Sequence, residues 1–456
     1  MGRYKIKSDD DYLVAGRKHG VWWITGTLSA TVVGAGSTIG AAGVAYFVGI
    51  SAAWYLLSAV IALLLLSFTF APALRKLSLY TVPEYIGKRY GSRARWVASV
   101  LGVVGLIMFL AAQLYAMGEI IVNLMGMPLN FAILLAASVA IFYTWRGGNV
   151  AIHISDNIQI IWIVMGFLFV FFFGLSELRE KAYASFDPPS LIYDGKIMNH
   201  WFNPFTRKAV SGFDLLALGS TVVGWIIMSI TWHFTMQSTA QRILSSRSPA
   251  VARMACLLAA LFLIPLALII AACGMIARFL VPDLPGVEGV AQTQALPALI
   301  QVLLPSFFGG IVIAALIAVM MSTVDSALLG ASTIFVNDIA QRLNHHSVPV
   351  LTLVFGLLSL GLAIWAKSLI KMLEVVAGVY CIATFVPILL GLYWKRATEN
   401  GALAAMGGSA LSTLFWRFSG LETSTGIHML TVGLPLAFLA ILGISLLDVR
   451  DEKNDS

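Results

Sequence analysis

The sequence predicts an all-α polytopic membrane protein of about 12 transmembrane helices. Three observations lead there. Of 456 residues, 59% are hydrophobic and only 11% charged, against roughly 25% charged in an ordinary soluble domain. The mean hydropathy is +0.88. Apolar windows of about 20 residues, the length of a bilayer-crossing helix, recur along the whole chain. Lys and Arg gather in alternate connections, as the positive-inside tendency requires.

The opening segment, 1–20, is too charged for a secretory signal and is expected in the cytosol. Apolar windows then fall near 21–47, 52–74, 96–124, 128–147, 149–175, 213–237, 254–278, 307–332, 348–366, 368–394, 399–418 and 426–448. With the N-terminus inside, the inner connections hold Arg3, Lys5, Lys7, Arg17 and Lys18, then Arg75, Lys76, Lys88, Arg89, Arg93 and Arg95, then Arg242, Arg247 and Arg253, then Lys395 and Arg396, and finally Arg450 and Lys453. The short outer connections carry almost none. The basic segment between Ser176 and Gly212 is the exception, and long loops translocate largely regardless of charge. Both termini are thus expected on the cytosolic side of the cytoplasmic membrane. The net charge of +7 is dispersed among these loops, so membrane orientation explains it and nucleic acid does not. Cys256, Cys273 and Cys381 lie in apolar runs without CxxC spacing, which suggests buried thiols rather than a metal site or disulfide framework.

Polar residues inside the spans point to function. The first window contains SATVVGAGSTIGAAG, Ser29 to Gly43, with four glycines and four hydroxyl side chains. The glycines do not match a dinucleotide loop, and no strand precedes them. Gly36 and Gly40 make a small-xxx-small face for helix packing. Glycine near Gly34 and Gly36 also weakens a helix by about 1 kcal/mol per residue relative to alanine. A break there frees carbonyls that need a partner in a membrane interior, and a desolvated cation is one. In the second half, GSTVVGWI, Gly219 to Ile226, echoes SATVVGAG. Paired interrupted segments in two halves are the mark of an inverted-repeat transporter. The eighth window carries MMSTVDSALLGASTIFVNDI, in which Ser322, Asp325 and Ser326 share one helical face with Thr323 beside them. Hard oxygens of this kind suit sodium, and an intramembrane acid is by default a functional-site hypothesis. The plainer alternative has the hydroxyls bonding back to the preceding turn and Asp325 pairing with a base. Asp156, in ISDNIQ, has an interfacial or capping role as its rival reading. No Ser/His/Asp arrangement, paired glycosidase carboxylates or P-loop occurs, which argues against hydrolysis and against direct ATP use, so a transporter rather than an enzyme is expected.

Six ordered blocks then resemble the sodium:solute symporter family: SDDDYLVAGR, SATVVGAGSTIGAAGVAYFVGI, TVPEYIGKRYG, SDNIQ, QSTAQRILSS and MSTVDSALLGASTIFVNDI. The resemblance implies a leucine-transporter-like 5+5 inverted repeat, 21–175 and 213–394, separated by an outer loop, 176–212, and followed by two additional helices, 395–448, and a cytosolic tail, 449–456. It implies a sodium site of the Ala30, Val33 and Val319 carbonyls with the Ser322 and Thr323 hydroxyls. Asp156, Asp325 and Ser326 resemble a second cation site, and Gly36, Ser37, Ser229, His233 and Gln237 would bind the substrate. The expected activity is sodium-coupled symport of a small organic solute by alternating access, with sodium as coupling ion and no other cofactor. The sugar branch has an acidic-amide pair where this chain has Gly36 and Ser37, and the proline branch an aspartate in place of Val32. A pocket lined by glycine and serine suggests a small, partly apolar amino acid such as proline, or a carboxylate or vitamin. Proton coupling and a non-transporting membrane sensor are the alternatives.

Overall fold

The computed structural model describes residues 9–184, 192–193, 196–197, 222–282, 284, 290–341, 347–366, 369–425 and 427–454. Their regular secondary structure is helical apart from a minimal antiparallel ribbon, β1 (Ile192–Tyr193) with β2 (Lys196–Ile197), in the long loop. The first half runs α1 (Asp9–Val14), α2 (Val21–Val32), α3 (Ala41–Val48), α4 (Trp54–Phe68), α5 (Phe70–Lys76), α6 (Val82–Tyr90), α7 (Ser92–Met125) and α8 (Leu129–Ala184). The second runs α9 (Val222–Thr235), α10 (Gln237–Leu244), α11 (Pro249–Leu280), α12 (Val290–Leu303), α13 (Ser306–Ile334), α14 (Val348–Ala366), α15 (Leu369–Val376), α16 (Ala383–Tyr393), α17 (Glu399–Phe418), α18 (Leu421–Thr425) and α19 (Met429–Asn454).

Local chemistry sets several boundaries. The Thr81 hydroxyl caps α6 by accepting from Glu84 N at 3.1 Å, while the Glu84 carboxylate accepts from Tyr80 N at 2.8 Å. Ser248 before Pro249 caps α11, and Thr398 caps α17. Gly49 has φ +72°, a left-handed turn that glycine adopts at least cost. It divides an otherwise helical stretch from Gly36 to Phe68 into the ends of the first and second windows. The 56 residues of α8 would span about 84 Å at 1.5 Å each. They hold two apolar stretches, Leu129–Trp145 and Asn149–Glu180, matching the windows at 128–147 and 149–175.

Among the described residues, eight helical segments are long and apolar enough to cross a membrane, and three shorter apolar helices accompany them. One of the shorter three, in α12, lies outside every expected window. Exposed Phe142, Ile161, Phe307, Leu357 and Leu439 belong to an apolar outer surface suited to lipid. Inside, α13 packs on α8 and α7, and α11 packs on α2, α3 and α4. The approach of α11 to α3 depends on a missing side chain: a Cβ on Gly274 would lie 2.0 Å from the Ala42 carbonyl oxygen. All three cysteines are free and buried.

Candidate functional site

The helix of the first span stops at Val32 and resumes at Gly36–Gly40 as a wider turn before α3. Val33 is extended, with φ −86° and ψ 95°. Gly34 N–H donates to Ser37 Oγ at 2.8 Å rather than to the Ala30 carbonyl, its partner in an unbroken α-helix. The Ala30 oxygen is thereby released from the ladder. Ser37 Oγ also lies 3.1 Å from Val32 O and 3.2 Å from Gly34 O, so this hydroxyl is engaged in building the break. Thr38 Oγ1 donates to Gly34 O at 2.7 Å.

Opposite the break stands α13. A Cβ placed on Gly34 would be 3.3 Å from Thr323 Oγ1, so the Thr323 hydroxyl faces the interrupted backbone. Among the described residues Thr323 Oγ1 makes only a long contact of its own, 3.3 Å to Val319 O. Ala30, Val33, Val319, Ser322 and Thr323 are all buried. Hydroxyls and released carbonyls are the donor chemistry a dehydrated sodium ion requires.

Beside this set lies a fully buried ion pair. Asp156 accepts from Thr27 on α2, from Ser322 on α13 and, at 2.9 Å, from Arg242 Nη2 on α10. The same guanidinium nitrogen donates to Ser326, and Ser326 donates to Ser322 O at 2.7 Å. Asp325, one turn along, accepts from Thr144, while its Oδ2 has no partner among the described residues. The three residues expected to hold a second cation are therefore neighbours, with Arg242 placed on two of them. The capping role considered for Asp156 is not what it does here, since it bonds side chains of three other helices.

A cavity of about 110 Å³ opens between the broken first span, α4, α7 and α9. Gly36, Ser37, Ser229 and His233 line it, and so do Thr323 and Ser326. Ser229 Oγ shares a hydrogen bond of 2.8 Å with Ser58, and its carbonyl lies 2.8 Å from His233 Nδ1. A Cβ on Gly36 would be 2.5 Å from the Tyr55 hydroxyl. Gln237 does not line the cavity. Its carboxamide donates to Tyr80 O at 2.8 Å and accepts from Val82 N at 3.0 Å, joining the second broken span to the connection before α6. That second break lies at Met236, extended at φ −64° and ψ 122° between α9 and α10. The echo in GSTVVGWI is helical from Val222 onward, and its first three residues lie outside the described residues.

A profile of the sodium:solute symporter family matches residues 12–408. The chain belongs to the sodium:solute symporter family. Similar curated proteins include the sodium/glucose cotransporter of Vibrio parahaemolyticus, 25% identical over 454 residues and covering 91% of this chain and 81% of that one. The sodium/myo-inositol cotransporter 2 of Rattus norvegicus is 28% identical over 441 residues, 89% of this chain and 65% of that one. Among solved structures, the substrate-bound outward-open state of a Na+-coupled sialic acid symporter superposes with a TM-score of 0.78 at 21% identity, covering 97% and 93% of the two chains. MHP1, a nucleobase-cation-symport-1 family transporter in a closed conformation, gives 0.60 at 13% identity, covering 97% and 95%. These likenesses establish the fold of this symporter.

Sequence reasoning passed over Gln113, Thr27 and Thr144 in this symporter, and counted Arg242 among the charges of an inner connection, whereas it is fully buried in α10 against Asp156. Gln113 left one usable signal: it is the lone amide in the apolar run Leu101 to Gly118. Thr27 and Thr144 left none, since a threonine in an apolar helix ordinarily bonds to its own preceding turn.

Proposed function

We propose that this chain is a sodium-driven secondary transporter that binds one sodium between the break of the first span and α13, and a small organic solute in the adjoining cavity. The observation that carries the reading is the Thr323 hydroxyl facing Gly34, where the backbone has left its helical ladder. The ligands would be the carbonyls of Ala30, Val33 and Val319 and the hydroxyls of Ser322 and Thr323. Sodium there would tie the first half-repeat to the second, favouring one arrangement of the bundle until the ion leaves. Differential affinity of this kind is what shifts a two-state equilibrium.

The finer architecture belongs to the same reading: twelve spans, two inverted five-helix repeats and both termini in the cytosol. The clustering of Arg and Lys in alternate connections supports it. A second cation beside Asp325 draws support from the unpartnered Oδ2, whereas Asp156 and Ser326 already share the Arg242 guanidinium. An amino acid or carboxylate cargo would depend on backbone N–H groups at the break, because no Arg or Lys lines the cavity among the described residues.

Uptake into proteoliposomes under an inward sodium gradient, with choline replacing sodium as control, tests the reading. Ser322→Ala and Thr323→Ala are expected to raise the sodium concentration for half-maximal uptake by about tenfold or more, the effect of losing a ligand worth roughly 1.4 kcal/mol. Unchanged sodium dependence in both variants would remove the proposed site. Uptake that persists in choline and follows a pH gradient would replace sodium by protons.

A further inference from the structure

The cavity's lining is unusual in what it combines. Among the described residues that line it there is no Arg, Lys, Asp or Glu, yet it contains Gln113, whose carboxamide oxygen is buried and has no protein partner among the described residues. The side chain is 2% exposed. A Cβ on Gly34 would lie 4.0 Å from Gln113 Oε1 and 3.3 Å from Thr323 Oγ1, so the amide sits at the boundary between the cavity and the oxygens facing the broken span. Around it are aromatic rings: Trp232 packs edge-on against Phe109 with centroids 5.0 Å apart, and Trp225 against Tyr55 at 5.9 Å.

Each feature constrains the cargo. A solute carrying a net or zwitterionic charge would lose its hydration here without an opposite side-chain charge to replace it, which is strongly unfavourable in a low-dielectric interior. A buried amide with an empty acceptor requires a donor, and its N–H groups can serve an acceptor on the same ligand. Hydroxyl and amide groups offer both. The rings give such a solute an apolar face to lie against. Resting on the transport reading above, we propose that the cargo is uncharged and hydrogen-bonding, bearing hydroxyl or amide groups, and that Gln113 is the residue that selects it.

The test uses the full-length protein and matched pairs differing chiefly in charge: D-glucose with D-glucuronate, nicotinamide with nicotinate, and panthenol with pantothenate, together with myo-inositol and proline. Thermal stabilisation is measured in sodium and in choline, and any hit is followed by uptake into proteoliposomes. Sodium alone is expected to stabilise the protein, and only uncharged members to add to it. Gln113→Leu is expected to weaken such a hit by about tenfold or more, as removal of a buried hydrogen-bond partner does, while stabilisation by sodium without solute reports that the variant is folded. If Gln113→Leu does not fold, Gln113→Glu keeps the shape, loses the donors and is expected to weaken the same hit. Stabilisation by a charged member, by no uncharged member, or by uncharged members equally in a folded Gln113 variant would overturn the proposal. No response to sodium itself would overturn the transport reading and this inference with it.

Discussion

Arg242 is the largest side chain in the described structure to be fully buried, and its charge is answered by Asp156 at 2.9 Å. Breaking such a pair on one side typically costs about 3–5 kcal/mol, because the remaining charge stays buried without compensation. Arg242→Met should therefore lower stability by that order, and Arg242→Met with Asp156→Asn should lose less than the sum of the single losses. A double-mutant cycle of unfolding in mixed micelles measures both. The cation reading makes a separate demand on Asp325. If its free Oδ2 helps to hold a second ion, Asp325→Asn makes uptake less steeply dependent on sodium; an unaltered Hill coefficient would take Asp325 out of any second site. At this scale the sequence was partly readable. Ser322 and Thr323 stood out because hydroxyls and an acid share an otherwise apolar helix. Gln237 was misleading, since nothing in QSTAQR distinguishes an amide that meets solute from one that clasps Tyr80 O and Val82 N.

The two interrupted spans show the same contrast between elements. Glycines mark the first break directly, and the structure places it at Val33 to Ala35. The second, at Met236, has neither glycine nor proline, and the carbonyl it exposes on Thr235 is satisfied by the Tyr380 hydroxyl at 2.6 Å. A partner 145 positions away leaves no local trace. Tyr380→Phe should leave that carbonyl unpaired and reduce stability by about 1–3 kcal/mol, visible as a lower unfolding temperature. The α3–α11 contact predicts a larger loss. Gly274→Ala would drive a methyl into the Ala42 carbonyl, so little folded protein is expected, whereas Gly443→Ala, with nothing within 4 Å, should be neutral or stabilising. Fluorescence-detected gel filtration separates the two outcomes.

Across the whole molecule, the class and most of the helical windows followed from hydropathy, because a bilayer demands long apolar helices and little else. The helix α12 escaped because its apolar stretch is too short for that criterion. Driving force is also a property of the whole. One sodium moving inward across 100 mV contributes about 2.3 kcal/mol, and a tenfold gradient adds about 1.4. An uncharged solute coupled to one sodium should thus accumulate several hundredfold, and only about tenfold with the potential clamped to zero. A second sodium would square both ratios, so isotope accumulation under a valinomycin clamp counts the ions. The three sealed thiols, finally, make the native chain its own cysteine-free background. Maleimide dyes should find no target on it, and a cysteine introduced on either rim could carry a spectroscopic ruler for following the transport cycle in real time.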